Sequence, residues 1–582
     1  MAKLNDFPIT EFKGVVKNKS DLMMEKGEMK QILNMEIGDS GRATRRKGSV
    51  QCGQTLAAPI INSFSAHLLS GNLITNFHLV AEQASSANIY PLRANYLTAA
   101  VSVGDTTITM GTTANFDTPT GTVEIEGDTI AYTGTTGTTL TGCTGILKAH
   151  AVGTPVRQFS QTGFTVSSGV DTRCGCYFFV LGGKVFANGR VGSAYTTGSN
   201  WTAVSDADEA GGLFDTVYRN RVYRAGSGAS DGSGTRNGSV NRVSYSDAGD
   251  GTSWTLTNYF DVEDDNGEEI TGLKVLSDRL LIFKLNSMFG YDEVQLKQNL
   301  YGVGAYNHFC TQKIGNLIYT FCPSGVWITN GYSARKISEP IDEYLKYFKP
   351  VYDSLARVIT NCFTGTYRNK FYLYLKNLID PDTNANKADV VLVYDTIDGT
   401  WSVEDSYTNF IHFLSCNHYV EANAWSAATS DIMQTGEFMF GADSSNKYYK
   451  LFEDRFLTNA ATRVIVGGDL IPNLISNDSG NAISTVIETP MYYLGSPEWW
   501  KKIEAVRILI ESGDFDISYR IDKGNKITDW IPLGNFHDRN KRVSLKDKEG
   551  YGIAFKITGN SKDTLSTFNG IIVESIETLQ KK

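Results

Sequence analysis

One pattern recurs along most of this chain: a run of alternating aromatic and aliphatic residues, a tight turn of Gly, Asn, Asp or Ser, and a second such run. Copies stand at Leu68–Ile74, Tyr177–Phe186, Val217–Tyr223, Val275–Phe283, Ile314–Tyr319 and Thr366–Tyr372. Alternation with period two places side chains on opposite faces of an extended strand, and polar turn residues between two such runs mark hairpins. The copies return every ~40–60 residues once one interruption is set aside, close to the length of a propeller blade. With 11% aromatic residues and 56 Gly against 13 Pro, the chain is expected to be all-β. The architecture predicted is a β-propeller of about six to seven blades; the competing reading is a run of unrelated β-sandwiches.

The interruption, residues 96–156, is rich in Thr and Gly and poor in large aromatics. Val103–Thr109 and Val123–Ile130 alternate around Gly-Asp turns, so this stretch reads as a small inserted β domain. It divides an N-terminal segment with the first propeller strands (1–95) from the remaining blades (157–483). After residue 484, short strands at Val486–Thr489, Ile503–Ile510, Phe515–Ile521, Trp530–Leu533 and Ile553–Ile557 suggest a β-sandwich-like section (484–582). Glu339–Leu345, with Pro340 at a first helical position, predicts one short helix, and Asn220–Arg242 a long loop.

Charge narrows the function classes. Lys and Arg number 54 against 63 Asp and Glu, a net charge of −9, and the one basic cluster is Arg42–Lys47. A sequence reader of DNA needs a basic stripe to displace counterions, so sequence-specific DNA binding is not expected. The first thirty residues hold no continuous apolar run, and neither a secretory signal nor a membrane span is predicted. Eight scattered cysteines (52, 143, 174, 176, 310, 322, 362 and 416) lack zinc-module spacing and read as reduced core residues.

The first fifty residues carry a specific pattern: Phe12-Lys13-Gly14, Met24-Glu25-Lys26-Gly27-Glu28, Asn34-Met35-Glu36-Ile37, Gly41 and Arg45-Arg46-Lys47-Gly48. Three later stretches go with it: Val243–Asp247 with Trp254 and Gly272-Leu273-Lys274, Ser324–Trp327 leading to Ile337–Ile341, and Val393-Tyr394-Asp395 with Gly399-Thr400-Trp401. In order and spacing this resembles the propeller-type tail proteins of short-tailed bacteriophages: tail hub, nozzle and packaged-DNA stabilisation proteins. The resemblance implies a virion structural protein of the tail, made and assembled in the host bacterial cytoplasm. It implies a homo-oligomeric ring of copies, six as the expected number, contacting neighbouring tail, adaptor or portal-side proteins. Double-stranded DNA would pass during ejection without being read. No catalytic, cofactor or metal residues carry over.

Enzyme chemistry is weighed against that. A propeller glycosidase of the sialidase type carries Ser-x-Asp-x-Gly-x-Thr-Trp boxes, which Ser244–Trp254 only loosely approaches. His308, His412 and His418 show no metal-ligand spacing, Cys174 and Cys176 share a strand face, and Gly226–Gly238 lacks the Lys-Ser/Thr of a phosphate loop. The expectation is a non-enzyme with no cofactor. The alternative is a tail adhesin binding host-surface carbohydrate or protein, with Trp499 and Trp500 as stacking candidates.

Overall fold

The computed structural model describes residues 4–577 except 161–169, 227–239, 421–432, 456–464, 475–481 and shorter stretches between them. The protein is nearly all β. Among the described residues its one α-helical turn is Asp342–Leu345, which continues a 3-10 turn at Glu339–Ile341.

Among the described residues, seven antiparallel sheets follow one another along the chain. The first holds Ile60–Ser70, Leu73–Glu82, Ile89–Tyr96 and Pro155–Phe159. The second runs from Tyr177–Leu181 to Thr202–Ala203, the third from Phe214–Tyr218 to Trp254–Asp261, and the fourth from Ile270–Leu276 to Leu296–Tyr301. The fifth spans Thr311–Ile314 to Ala334–Lys336 and the sixth Cys362–Tyr367 to Trp401–Glu404. The seventh holds Phe410–Val420, Met433–Asp443 and Tyr448–Leu451. Its fourth strand is Ser49–Gln51, from the other end of the chain, with Gln51 opposite Tyr449.

The hairpin turns have a local cause. Arg219-Asn220 and Arg368-Asn369 both take positive φ at each residue, as Gly182-Gly183 does. Two successive positive φ values define the turn whose twist matches right-twisted strands, and Asn and Gly tolerate it best.

Each sheet is buried on both faces. In the sixth sheet Phe371, Leu373 and Leu375 pack toward the fifth, while Tyr372 and Tyr374 pack toward the seventh. The same holds around a circle. Leu79 and Ile89 meet Val185 and Trp201, Phe186 meets Val222 and Trp254, and Tyr223 meets Leu273 and Ile282. Leu281 and Phe283 meet Ile318, and finally Phe440 and Tyr448 meet Ile60, Val80 and Leu92. The first strands touch in the same succession, with Phe410–Val420 of the seventh sheet returning to Ile60–Ser70 of the first. At about 1.5–3 kcal/mol per buried large side chain, face-to-face packing outweighs the few hydrogen bonds that would join one sheet to the next.

The Thr/Gly-rich segment leaves the first sheet at Tyr96 and re-enters at Pro155, and these two residues are paired. It therefore interrupts the sheet between its third and fourth strands without replacing either. Ile108, Val123, Ile125, Ile130, Leu140 and Phe116 give it a core of its own.

The C-terminal section differs from the expectation of a sandwich made from its own strands. One of its sheets takes Leu4–Ile9, Met35–Ile37 and Ala43–Arg45 onto Thr567–Glu577 and Lys501–Ser512. The other takes Gln31–Leu33 onto Ile483–Glu488, and through Leu33, opposite Val403, it is continuous with the sixth sheet. The physical reason is burial: Ile9, Ile32, Met35 and Ile37 are apolar strand residues that share one core with Val506, Ile517, Phe555 and Val573. Thus residues 1–95, read as an N-terminal segment with the first propeller strands, divide among this section, the seventh sheet, which takes Ser49–Gln51, and the first sheet, which begins at Ile60.

Candidate functional site

Four of the seven sheets send aromatic rings to one place. Tyr177 opens the second sheet, Phe214 the third, His308 and Phe309 precede the fifth, and His412 lies in the first strand of the seventh. Tyr177 stacks on Phe309 at 5.1 Å between ring centroids, Phe214 stacks on His308 at 5.6 Å, and Phe309 meets His412 edge-on at 5.5 Å. The second and seventh sheets are separated by the first, and the third and fifth by the fourth. Rings that touch from these positions meet across the centre of the circle.

The histidines here are neutral. Burial pushes His412 down to about 3, and burial, then the nearby charge of Lys274, holds His308 well below the usual histidine range. His308 Nδ1 accepts a hydrogen bond from the Leu273 N–H at 3.3 Å. Lys274, two residues after Gly272, shares its side of the strand. A Cβ at Gly272 would stand 3.1 Å from the His308 Cα, so the two segments approach there as closely as backbone allows. Burial lowers Lys274 to about 8.

A second polar centre is structural. Arg224, fully buried, donates to Asp215 at 2.7 Å and to Glu209 at 2.8 Å, with its guanidinium 4.8 Å from the Trp254 ring. Burial opposes its charge, but Asp215 and Glu209 outweigh burial and raise its pKa. These two carboxylates are committed to one arginine, which removes them as a free acid and nucleophile pair.

The box-like stretch before Trp254 is a turn that staples itself. Asp250 accepts from the Thr252 N–H at 2.9 Å and its hydroxyl at 2.7 Å, and Trp254 Nε1 donates to the Gly251 carbonyl at 3.2 Å. Asp247 accepts from Ser253, Thr255 and Asn258. Ser253 first, then Thr255 and Asn258, lower the Asp247 pKa. A carboxylate held ionised in this way is no proton donor.

Cys52, Cys143, Cys176, Cys310, Cys322 and Cys362 are buried free thiols, and Cys416 is a half-buried one. Cys174, the side chain of His418 and residues 227–238 of the glycine-rich loop lie outside the described residues. Trp500 is anchored, donating to Glu549 at 3.0 Å and meeting Tyr551 edge-on at 5.1 Å; Trp499 is half-buried beside it. Among the described residues no group of three or more His, Cys, Asp or Glu side chains is placed to hold a metal ion, and no helix is long and apolar enough to cross a membrane.

Sequence reading missed His150 and the central cluster. His150, buried in the inserted segment, faces Glu126 through Nδ1 and Asp128 through Nε2, both at 3.0 Å. Glu126, Asp128 and His150 carry no motif, since their meeting depends on a turn at Glu126-Gly127 and a bridge between Val101 and His150.

No protein-family model matches the sequence, and a search of curated proteins finds no match. Among solved structures, BamB from Moraxella catarrhalis is similar at 11% identity, covering 70% of this chain and 97% of its own, with a TM-score of 0.31. The Pan2 WD40 domain of Neurospora crassa covers 63% of this chain and 92% of its own at 10% identity and a TM-score of 0.28. The fructofuranosidase of Schwanniomyces occidentalis covers 90% and 97% at 9% identity and a TM-score of 0.22. Superpositions this loose add nothing to the sheet order itself.

Proposed function

We propose that the seven sheets are the blades of a β-propeller, and that the chain is a non-enzymatic structural subunit of a bacteriophage tail, assembling with copies of itself into a ring around the DNA exit path. The observation that supports this reading is where the residues carrying the tail-protein resemblance lie. They sit at joints. Gly14, at φ +93°, lies against the Trp401 backbone, where a Cβ would come within 2.9 Å of its carbonyl oxygen. Trp401 Nε1 donates to the Ile337 carbonyl at 2.8 Å. Asn34 Nδ2 donates to Asp405 at 2.8 Å and to the Ser484 carbonyl at 2.7 Å, and Arg46 is fully buried beside Glu404. A recurring pattern whose members fasten blades to a terminal sandwich fits a scaffold under mechanical load, whereas an enzyme's recurring pattern would converge on an open cleft.

In this reading the DNA path lies between copies. The centre of one subunit is occupied by the Tyr177, Phe214, His308 and Phe309 rings, and a double helix has a major groove alone ~12 Å wide. A net charge of −9 suits a wall that lets phosphates slide. Portal-side or adaptor proteins would be the neighbours of such a ring, and the virion tail its location. Class averages of the purified full chain by electron microscopy test the reading. A closed ring of six copies is the expected result, and a monomer at every concentration up to that of an assembling tail would overturn it. Hydrolysis of a bacterial surface glycan by the purified chain would overturn the non-enzymatic part.

A further inference from the structure

The side chain of Lys274 lacks a hydrogen-bond or ion-pair partner among the described residues, although its strand packs against the turn that carries His308 and its charge acts on that ring. An ammonium in such a place is ordinarily paired, because desolvation penalises the charge and a nearby carboxylate compensates. Here its neighbours are a neutral histidine and a wall of rings: His308, with Phe214 stacked on it and Tyr177 at 5.1 Å edge-on. The side chain keeps partial solvent access, so a solute can reach it. Across Phe309, the buried Nε2 of His412 is also without a hydrogen-bond partner. An ammonium among neutral and apolar side chains focuses a positive field in its immediate surroundings.

We propose that the partly accessible surroundings of Lys274, beside His308, form a binding site for a small anion, a carboxylate or a phosphate group, with the Lys274 ammonium as its charge partner. The strand geometry supports this directly. Leu273 points into the core shared with the third sheet and Leu276 into that shared with the fifth, so Lys274 is held by its neighbours in register and cannot turn out to bulk solvent without breaking its pairing with Leu281. Desolvation without a carboxylate nearby is also why its pKa falls. The inference does not depend on the tail-ring reading, since it concerns a single chain.

The test is calorimetric titration of the full chain at pH 7 with inorganic phosphate and, separately, with sodium acetate. One saturable site is expected for at least one anion, weakened at least tenfold in Lys274→Met and kept within about threefold in Lys274→Arg. Tighter phosphate than acetate would assign a phosphate ligand, and the reverse a carboxylate. Without anion, Lys274→Met should melt no lower than the parent. Should that variant not fold, acetylation of Lys274 by acetic anhydride in the parent chain gives the second readout, with at least fivefold protection expected in saturating anion. Equal binding by parent and Lys274→Met, absence of saturable binding of either anion, or acetylation unchanged by anion would each overturn the proposal.

Discussion

Acid should open the seam between the seventh and first sheets, and His78 is where it acts. Its Nδ1 lies 2.7 Å from Ser65 Oγ and its Nε2 2.9 Å from Tyr448 Oη, whose hydroxyl in turn donates to Ser63 at 2.8 Å. That chain of donors suits a neutral ring protonated on Nε2, with Ser65 donating to Nδ1. Burial pushes His78 down to about 3, and its ring packs 4.6 Å from Phe440 in the seventh sheet. The sign follows. A histidine whose folded pKa is depressed contributes fully above its unfolded value near 6.5, and that contribution is lost as pH falls from there toward about 3. At pH 5 the unfolded state has gained a proton that the folded state refuses, at a cost of about 2 kcal/mol for this one group. The perturbation is His78→Phe, which keeps the ring packing and removes the titration. Urea unfolding of both chains at pH 7.5 and pH 5.0 gives the assay. At pH 7.5 the variant should be the weaker by about 1–3 kcal/mol, because Ser65 and Tyr448 lose a buried partner. At pH 5.0 that deficit should shrink by about 2 kcal/mol, while carboxylate titration elsewhere cancels between the two chains. A deficit that stays constant to within about 0.5 kcal/mol between the two pH values would show that the buried His78 is not the group on which acid acts.

Removing one member of the buried Arg224 cluster, as in Asp215→Ala, should destabilise the protein by about 3–5 kcal/mol, read from the same urea curves, because the arginine is left underpaired in the interior. Replacing residues 97–154 by a two-residue Asn-Gly turn should leave a soluble protein with a cooperative melt, since Tyr96 and Pro155 are already paired across the sheet; an insoluble product would show that the insert supports the first sheet. Gly14→Val should cost at least about 2 kcal/mol in the melt, from positive φ and the approach to Trp401 together, whereas Gly104→Ala, at φ +87° but with open space around it, should cost only the backbone strain of about 1 kcal/mol.

Local physics made much of this protein legible from its sequence. Alternation and turn chemistry belong to a few neighbouring residues, so Arg368-Asn369 announces a hairpin wherever it stands, and the Thr/Gly change of composition announces residues 96–156. Pro340 at the start of a short apolar run was enough to place the helical turn at Glu339–Leu345. The site was not legible, because its members come from separate sheets. Tyr177, Phe214, His308 and His412 have ordinary strand or turn neighbours in sequence, and only the circular packing of seven sheets brings their side chains to one centre. The same is true of the chain ends. Ser49–Gln51 and Leu4–Ile9 read as modest strands, and nothing local says that the first completes the seventh sheet while the second joins Thr567–Glu577. A strand's own residues determine that it is extended and which faces are apolar. Its partner is decided by which unpaired edge remains once the other sheets are buried, and that is a property of the whole fold.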